Sequence, residues 1–226
     1  MSGLAQHATE YEVVEGEPPE LMGRNLNSAA HLLASATAFF FLAFLFAYFY
    51  LRSLNSDHLW RPKHVDPSLT LGTLVMALTV ASAVIVRLGL ADHRAGRRPQ
   101  WRLKGTVALA AGIVAVVLQV VEWTTAGFGP ADGGYASVFV GWTAFNVFFV
   151  IGTLIWLENL LATAIRYRKI QSGAPAPGEA SGDPGRAGHD IADPLSLVRQ
   201  GLEGLSFYWT FLAGLGVVAW VILFLV

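Results

Sequence analysis

The sequence predicts an all-α protein: a polytopic membrane bundle of five transmembrane helices, N-terminus inside and C-terminus outside. Three observations carry this. Of 226 residues, 54% are hydrophobic and only 14% charged, where a soluble domain carries about 25% charged residues. Five stretches of 17 or more residues contain no Asp, Glu, Lys or Arg. Strand-length segments of alternating polarity are absent, which argues against an outer-membrane barrel. A backbone in lipid must satisfy its own hydrogen bonds, so helices remain. The mean hydropathy of +0.50 agrees. The same composition excludes a disordered chain, a basic nucleic-acid binder and almost any soluble enzyme. The absence of cysteine excludes disulfides, thiolate metal sites and Cys nucleophiles together.

The charge-free stretches are Ala29–Leu51, Leu69–Val86, Gly105–Val121, Gly134–Leu157 and Leu205–Val226. Each approaches the roughly 20 residues that a helix needs to cross about 30 Å of hydrocarbon. The second and third reach span length by including Arg87 or Glu122. With their flanks, the expected helices cover residues 28–52, 68–91, 104–124, 135–163 and 204–226, the first four forming a membrane region over 28–165. The first 28 residues carry Glu10, Glu12, Glu15, Glu17 and Glu20 and no apolar core. They do not read as a signal peptide, so the first span is expected to be an uncleaved start-transfer helix.

Lys and Arg set the orientation. Arg94, Arg97, Arg98, Arg102 and Lys104 lie between spans two and three. Arg166, Arg168, Lys169, Arg186 and Arg199 lie between spans four and five, and Thr124–Gly133 has none. Placing the N-terminus inside puts twelve basic residues at the inner side and three, Arg52, Arg61 and Lys63, outside. Trp60 and Trp123 then sit at outer edges, and Trp101, Trp156 and Trp209 near inner ones, as interfacial anchors do.

Two segments outside the spans are expected to be mobile: an acidic arm over 1–27 and a cytoplasmic loop over 166–203, rich in Gly, Pro, Ala and Ser. Neither buries enough apolar area to offset chain entropy. Docking onto a partner is the alternative. Within the second segment, Leu195–Leu202 reads as a short interfacial helix leading into span five.

The six histidines, His7, His31, His58, His64, His93 and His189, all avoid the depths of the spans. A bis-His haem or a three-His copper site is therefore not expected. Ionisable residues near the spans are few. Glu158 and Arg87 read as inner-end groups. Glu122, in Gln119-Val120-Val121-Glu122-Trp123, reads either as an interfacial carboxylate or as a functional intramembrane group, and the sequence leaves both open. Span one carries a run of aromatics from Phe39 to Tyr50, read as lipid-facing and packing groups. Ala77 with Ala81, and Ala108 with Gly112, have the spacing that permits close helix contact.

Taken together, the spans resemble subunit III of the haem–copper cytochrome c oxidases, in the shorter bacterial form with five helices. Phe39–Arg52 (FFFLAFLFAYFYLR) is similar to the family's first-helix run ending in Arg. Gln119-x-x-Glu122 is similar to its Q-x-x-E-[YW]. Tyr135-Ala136-Ser137-Val138-Phe139 with Thr143-Ala144-Phe145 is similar to its YGS-x-F…TGF run, and Phe207-Tyr208-Trp209-x-Phe211 to its YYWHF. The chain departs from the family at five positions. The family's first-helix glutamate falls on Thr37, the histidines of its H-x-x-H on Asn146 and Phe149, and the histidine and aspartate of its YWHFVD on Thr210 and Ala213.

The resemblance implies a non-catalytic subunit that binds no redox centre, with haem and copper held by partner subunits. It implies packing against the catalytic subunit I and subunit II, enclosed phospholipid, and a bacterial inner-membrane location. It implies no catalytic, cofactor or metal residue in this chain and no nucleic-acid partner. Glu122, Gln119, Arg52, Phe40, Phe41 and Trp209 are the candidate structural or lipid-cleft residues. The lost polar groups keep open a paralogue serving a nitric oxide reductase-related complex or its assembly. A small transporter built on Glu122 and Asn146 is a third reading, with a sparse polar path.

Overall fold

The computed structural model describes residues 19–55, 60–173 and 194–226. The described residues form five helices: α1 (Pro19–Ser53), α2 (Leu69–Arg94), α3 (Arg98–Thr125), α4 (Gly134–Gly173) and α5 (Pro194–Trp220), the last closing in a π-helical turn, Val221–Leu225. Each contains a stretch of 26 to 33 residues long and apolar enough to cross a membrane. At 1.5 Å per residue even the shortest spans about 39 Å. The protein is a multi-pass membrane protein, all-helical over the described residues.

The helices outrun the charge-free stretches. Residues 19–27, grouped by composition with the arm, form the start of α1, and α4 continues to Gly173. Leu195–Leu202 is not a separate helix but the first turns of α5. Most of the acidic arm and the centre of the 166–203 segment, on which the expectation of mobility rested, lie outside the described residues.

Helix α5 is the hub, packing on α1, α2 and α4, while α3 closes the bundle against α2 and α4. Its buried residues, Val198, Leu202, Leu205, Tyr208, Trp209 and Leu212, recur every three or four positions along one face. In α1 the same logic sorts the aromatics. Ala30, Ala34, Thr37, Phe41 and Tyr48 face inward, while Phe39, Phe46, Phe49 and Tyr50 face outward. The outward set is what a lipid-facing surface looks like when no bilayer is drawn around it.

The α2–α3 pair shares the most extensive contact. Ser68 caps α2 by accepting from the Leu71 N–H at 3.3 Å. The connection to α3 is tight: Gly96 takes φ 73°, a left-handed conformation that glycine adopts at little cost. Asp92 secures that turn. Its Oδ1 accepts from Arg97 Nε and Nη2 at 3.0 and 2.6 Å, and its Oδ2 lies 2.6 Å from Lys104 Nζ. Of the two small-residue pairs, Ala108 and Gly112 sit in an interface, with Ser82 Oγ donating to the Ala108 carbonyl at 2.7 Å. Ala77 and Ala81 face outward instead. Spacing alone does not say which face a neighbour occupies.

The end of the bundle bearing the 60–68 connection is closed by aromatics. Tyr48 and Trp60 meet edge-to-face at 5.1 Å, and Trp60 meets Tyr135 likewise at 5.8 Å. Tyr135 Oη donates to the Leu223 carbonyl at 2.6 Å, and its ring lies under the Arg61 guanidinium at 4.5 Å.

Candidate functional site

The main polar feature inside the bundle is built on α3. Gln119 and Glu122 lie three positions apart, so their side chains leave the same face of the helix. That face also carries Ala108, Gly112 and Ala115 and points into the bundle. Glu122 is 1% exposed. Gln119 Nε2 donates to Glu122 Oε2 at 2.7 Å, and Glu122 Oε1 has no protein partner among the described residues. The carboxylate is thus enclosed by the bundle. A buried carboxylate in a membrane span is costly and marks a functional candidate.

Around the pair, α4 contributes Trp142, Thr143 and Asn146. Thr143 Oγ1 accepts from Trp123 Nε1 at 2.9 Å and donates to the Phe139 carbonyl at 2.7 Å. Trp142 Nε1 and Asn146 Oδ1 are buried with no protein partner among the described residues. Both residues border a cavity of about 40 Å³ that Gln119 also lines. That volume suits one or two water molecules, and the lining supplies the donors and acceptors they need. Chemically the arrangement can hold water and a carboxylate. It brings together no nucleophile and base. Among the described residues there is also no group of three His, Asp or Glu able to hold a metal.

The remaining candidates lie elsewhere. Phe40 is half exposed, its ring 5.6 Å from Phe145 and 6.1 Å from Phe149. Phe41 is buried 6.1 Å from Trp142. These contacts join α1 to α4. Trp209 is buried against α3, where a Cβ on Gly112 would stand 3.4 Å from the indole. Arg52 sits at the end of α1, donating from Nη1 to the Val226 carbonyl at 2.9 Å and lying 5.9 Å from the Tyr48 ring centre. The six residues thus form four separate places, not one pocket.

Several placements were not legible. Thr37, which stands where the resembled family has glutamate, meets Tyr208 Oη at 2.9 Å across the α1–α5 interface. Trp142 lies outside the quoted motifs, although a tryptophan in mid-span is itself a signal, since this residue favours the membrane edges. Asp92 gave no signal beyond its place near a basic turn.

A profile of the family described as cytochrome c oxidase subunit III matches residues 9–171. Cytochrome c oxidase subunit 3 of Gallus gallus is 30% identical over 158 residues, 68% of this chain and 60% of that protein. The protein of the same name from Ornithorhynchus anatinus is 27% identical over 153 residues, 65% of this chain and 59% of that one. The chain thus spans about six tenths of the length of these relatives.

Proposed function

The chain belongs to the cytochrome c oxidase subunit III family, and we propose that it serves as a non-catalytic subunit of a haem–copper oxidase in an aerobic respiratory chain. In this reading it packs against the catalytic subunit I, beside subunit II, and holds phospholipid against its helices. Haem and copper reside in those partners. The chain lies in a bacterial inner membrane with its N-terminus inside, the side that collects twelve of its fifteen Lys and Arg residues. The chemistry, including any coupled proton translocation, belongs to the assembled complex.

The observation that carries this is the family match over residues 9–171, which reaches from before α1 to near the end of α4. Two features of the chain are consistent with a supporting role. Its interior polar groups are few, and its outward surfaces on α1 and α3 are apolar and aromatic. The experiment is affinity purification of the tagged chain in mild detergent, followed by a reduced-minus-oxidised visible spectrum. Haem-containing subunits should co-purify. A haem-free monomer would overturn the reading.

One observation favours a second reading, a paralogue serving a nitric oxide reductase-related complex. Thr37, Asn146, Phe149, Thr210 and Ala213 stand where the resembled family carries ionisable residues. Haems b and c without haem a or copper in the purified complex would select it.

A further inference from the structure

The start of α1, the end of α2 and the start of α5 meet at one end of the bundle. Arg94 Nη2 of α2 lies 3.0 Å from Glu203 Oε1 of α5, and Arg199 Nε approaches the same oxygen at 3.8 Å. From α1, the His31 ring stacks on Phe207 of α5 at 4.1 Å. Between α2 and α5 this end opens into a groove of about 570 Å³ with apolar walls from Leu90, Phe207 and Phe211. Arg87 lines it two helical turns from Arg94, about 10 Å deeper. Arg87 is exposed and has no acidic partner among the described residues. Three guanidinium groups against one carboxylate leave this end of the groove net positive.

The segment that leads into α1 has the opposite charge. Residues 10–17 read EYEVVEGE, two positions before α1 begins at Pro19. Glu10, Glu12, Glu15 and Glu17 alternate there with Tyr11, Val13 and Val14. A groove with a cationic mouth and apolar walls calls for that combination. The reach is sufficient. His31 stands twelve residues into α1 from Pro19, so the helix overshoots the level of Phe207 by about 18 Å. Extended chain covers roughly 3.3 Å per residue, so about six residues span the return. On that register Val13 comes level with Phe207, Glu15 falls toward the mouth beside Arg94, and Glu12 falls deeper, toward Arg87. A tethered segment also needs little intrinsic affinity, because a short linker sets an effective concentration on the order of millimolar.

We propose that residues 10–17 fold back from the start of α1 into the α2–α5 groove, their carboxylates pairing with Arg87 and Arg94 and their valines lying against Phe207 and Phe211. The groove is thereby an interaction surface for a segment of this same chain. Docking of the segment is independent of the oxidase assignment, because its test uses the full chain alone and failure to recover haem subunits would leave it standing.

The chain has no cysteine, so Val13→Cys combined with Ala91→Cys places two nitroxide labels and no others. Ala91 is exposed and lines the groove. The label separation is measured by pulsed dipolar electron paramagnetic resonance on the full chain in phosphatidylcholine nanodiscs. One narrow distribution shorter than about 25 Å is expected, since docking cancels the overshoot of α1. Combining Glu10→Gln, Glu12→Gln, Glu15→Gln and Glu17→Gln should broaden it and move its centre outward by about 10 Å or more, as for an untethered coil. Arg87→Gln with Arg94→Gln should do the same, with far-ultraviolet circular dichroism verifying that the helices persist. If that pair unfolds, the glutamine set decides, since all four of its positions precede α1. A broad distribution in the labelled chain without these substitutions would overturn the docking, as would a narrow one that survives loss of all four carboxylates. A narrow peak that vanishes when phosphatidylglycerol is added would give the groove to lipid, and one that vanishes on dilution with unlabelled chain would place the segment on a second copy. Either result also overturns the proposal.

Discussion

The contact between Thr37 and Tyr208 tests whether a buried hydroxyl pair holds α1 onto the hub helix. Thr37 is 0% exposed and Tyr208 2%. Thr37 Oγ1 donates to the Leu33 carbonyl of its own helix at 2.7 Å. A hydroxyl has one proton, so Tyr208 Oη must be the donor across the 2.9 Å contact. The two single substitutions therefore differ. Tyr208→Phe removes the donor and leaves Thr37 bonded within α1, a loss of about 0.5–1.5 kcal/mol for one net hydrogen bond. Interhelical bonds in membranes average about 0.6 kcal/mol, which favours the lower half of that range. Thr37→Val instead strands the phenol in an apolar interface, at about 1–3 kcal/mol. The double variant replaces both partners by apolar groups of similar shape. It should cost no more than Tyr208→Phe, giving a coupling energy on the order of 1–2 kcal/mol. The assay is reversible unfolding by a denaturing detergent, followed by the fluorescence of the seven tryptophans. Equal single costs that add within about 0.5 kcal/mol would refute the reasoning.

Three further outcomes are expected. A Cβ at Gly72 would clash with the tip of the Phe224 ring, with three ring atoms inside 3 Å. Gly72→Ala should cost about 1–3 kcal/mol by overpacking, and Phe224→Leu should relieve it; a fully stable Gly72→Ala would contradict the packing. Asp92 faces both Arg97 and Lys104, so Asp92→Ala should lower the thermal midpoint more than Arg97→Gln. The gap should narrow in high salt, because the cations are half exposed and screened; a gap insensitive to salt would point to packing instead. Glu122→Gln preserves shape and a hydrogen bond to Gln119, whereas Glu122→Ala leaves the Gln119 amide without its acceptor at about 1–3 kcal/mol. The alanine variant should loosen assembly of the purified complex without altering its haem spectrum, and a changed spectrum would place Glu122 nearer the chemistry than proposed.

Much of the fold is written in one dimension. A charge-free run of 17 residues has few solutions, because a bilayer removes water as a hydrogen-bond partner. The five runs therefore gave five helices, and the quoted motifs gave the family. Helix ends were less legible. Residues 19–27 and 166–173 carry charges that a composition-based boundary excludes, yet a helix needs only its own backbone to continue past the apolar core. The Glu122 environment was half legible: spacing from Gln119 put both on one face, but which way that face pointed was not written locally.

By itself the sequence determined that the chain crosses a membrane five times, that it belongs beside the subunit III proteins, and that cysteine chemistry is absent from it. Those follow from local transfer energetics and residue identity. Tertiary structure decided which of two equivalent small-residue pairs became an interface, and that Trp209 went inward against Gly112 while Phe39 faced lipid. It also set Thr37 opposite Tyr208 and left Arg87 lining a groove. In hydrocarbon, an outward apolar residue and an inward one differ little in transfer free energy. Inside and outside are therefore settled by packing and hydrogen bonding among helices distant in the chain.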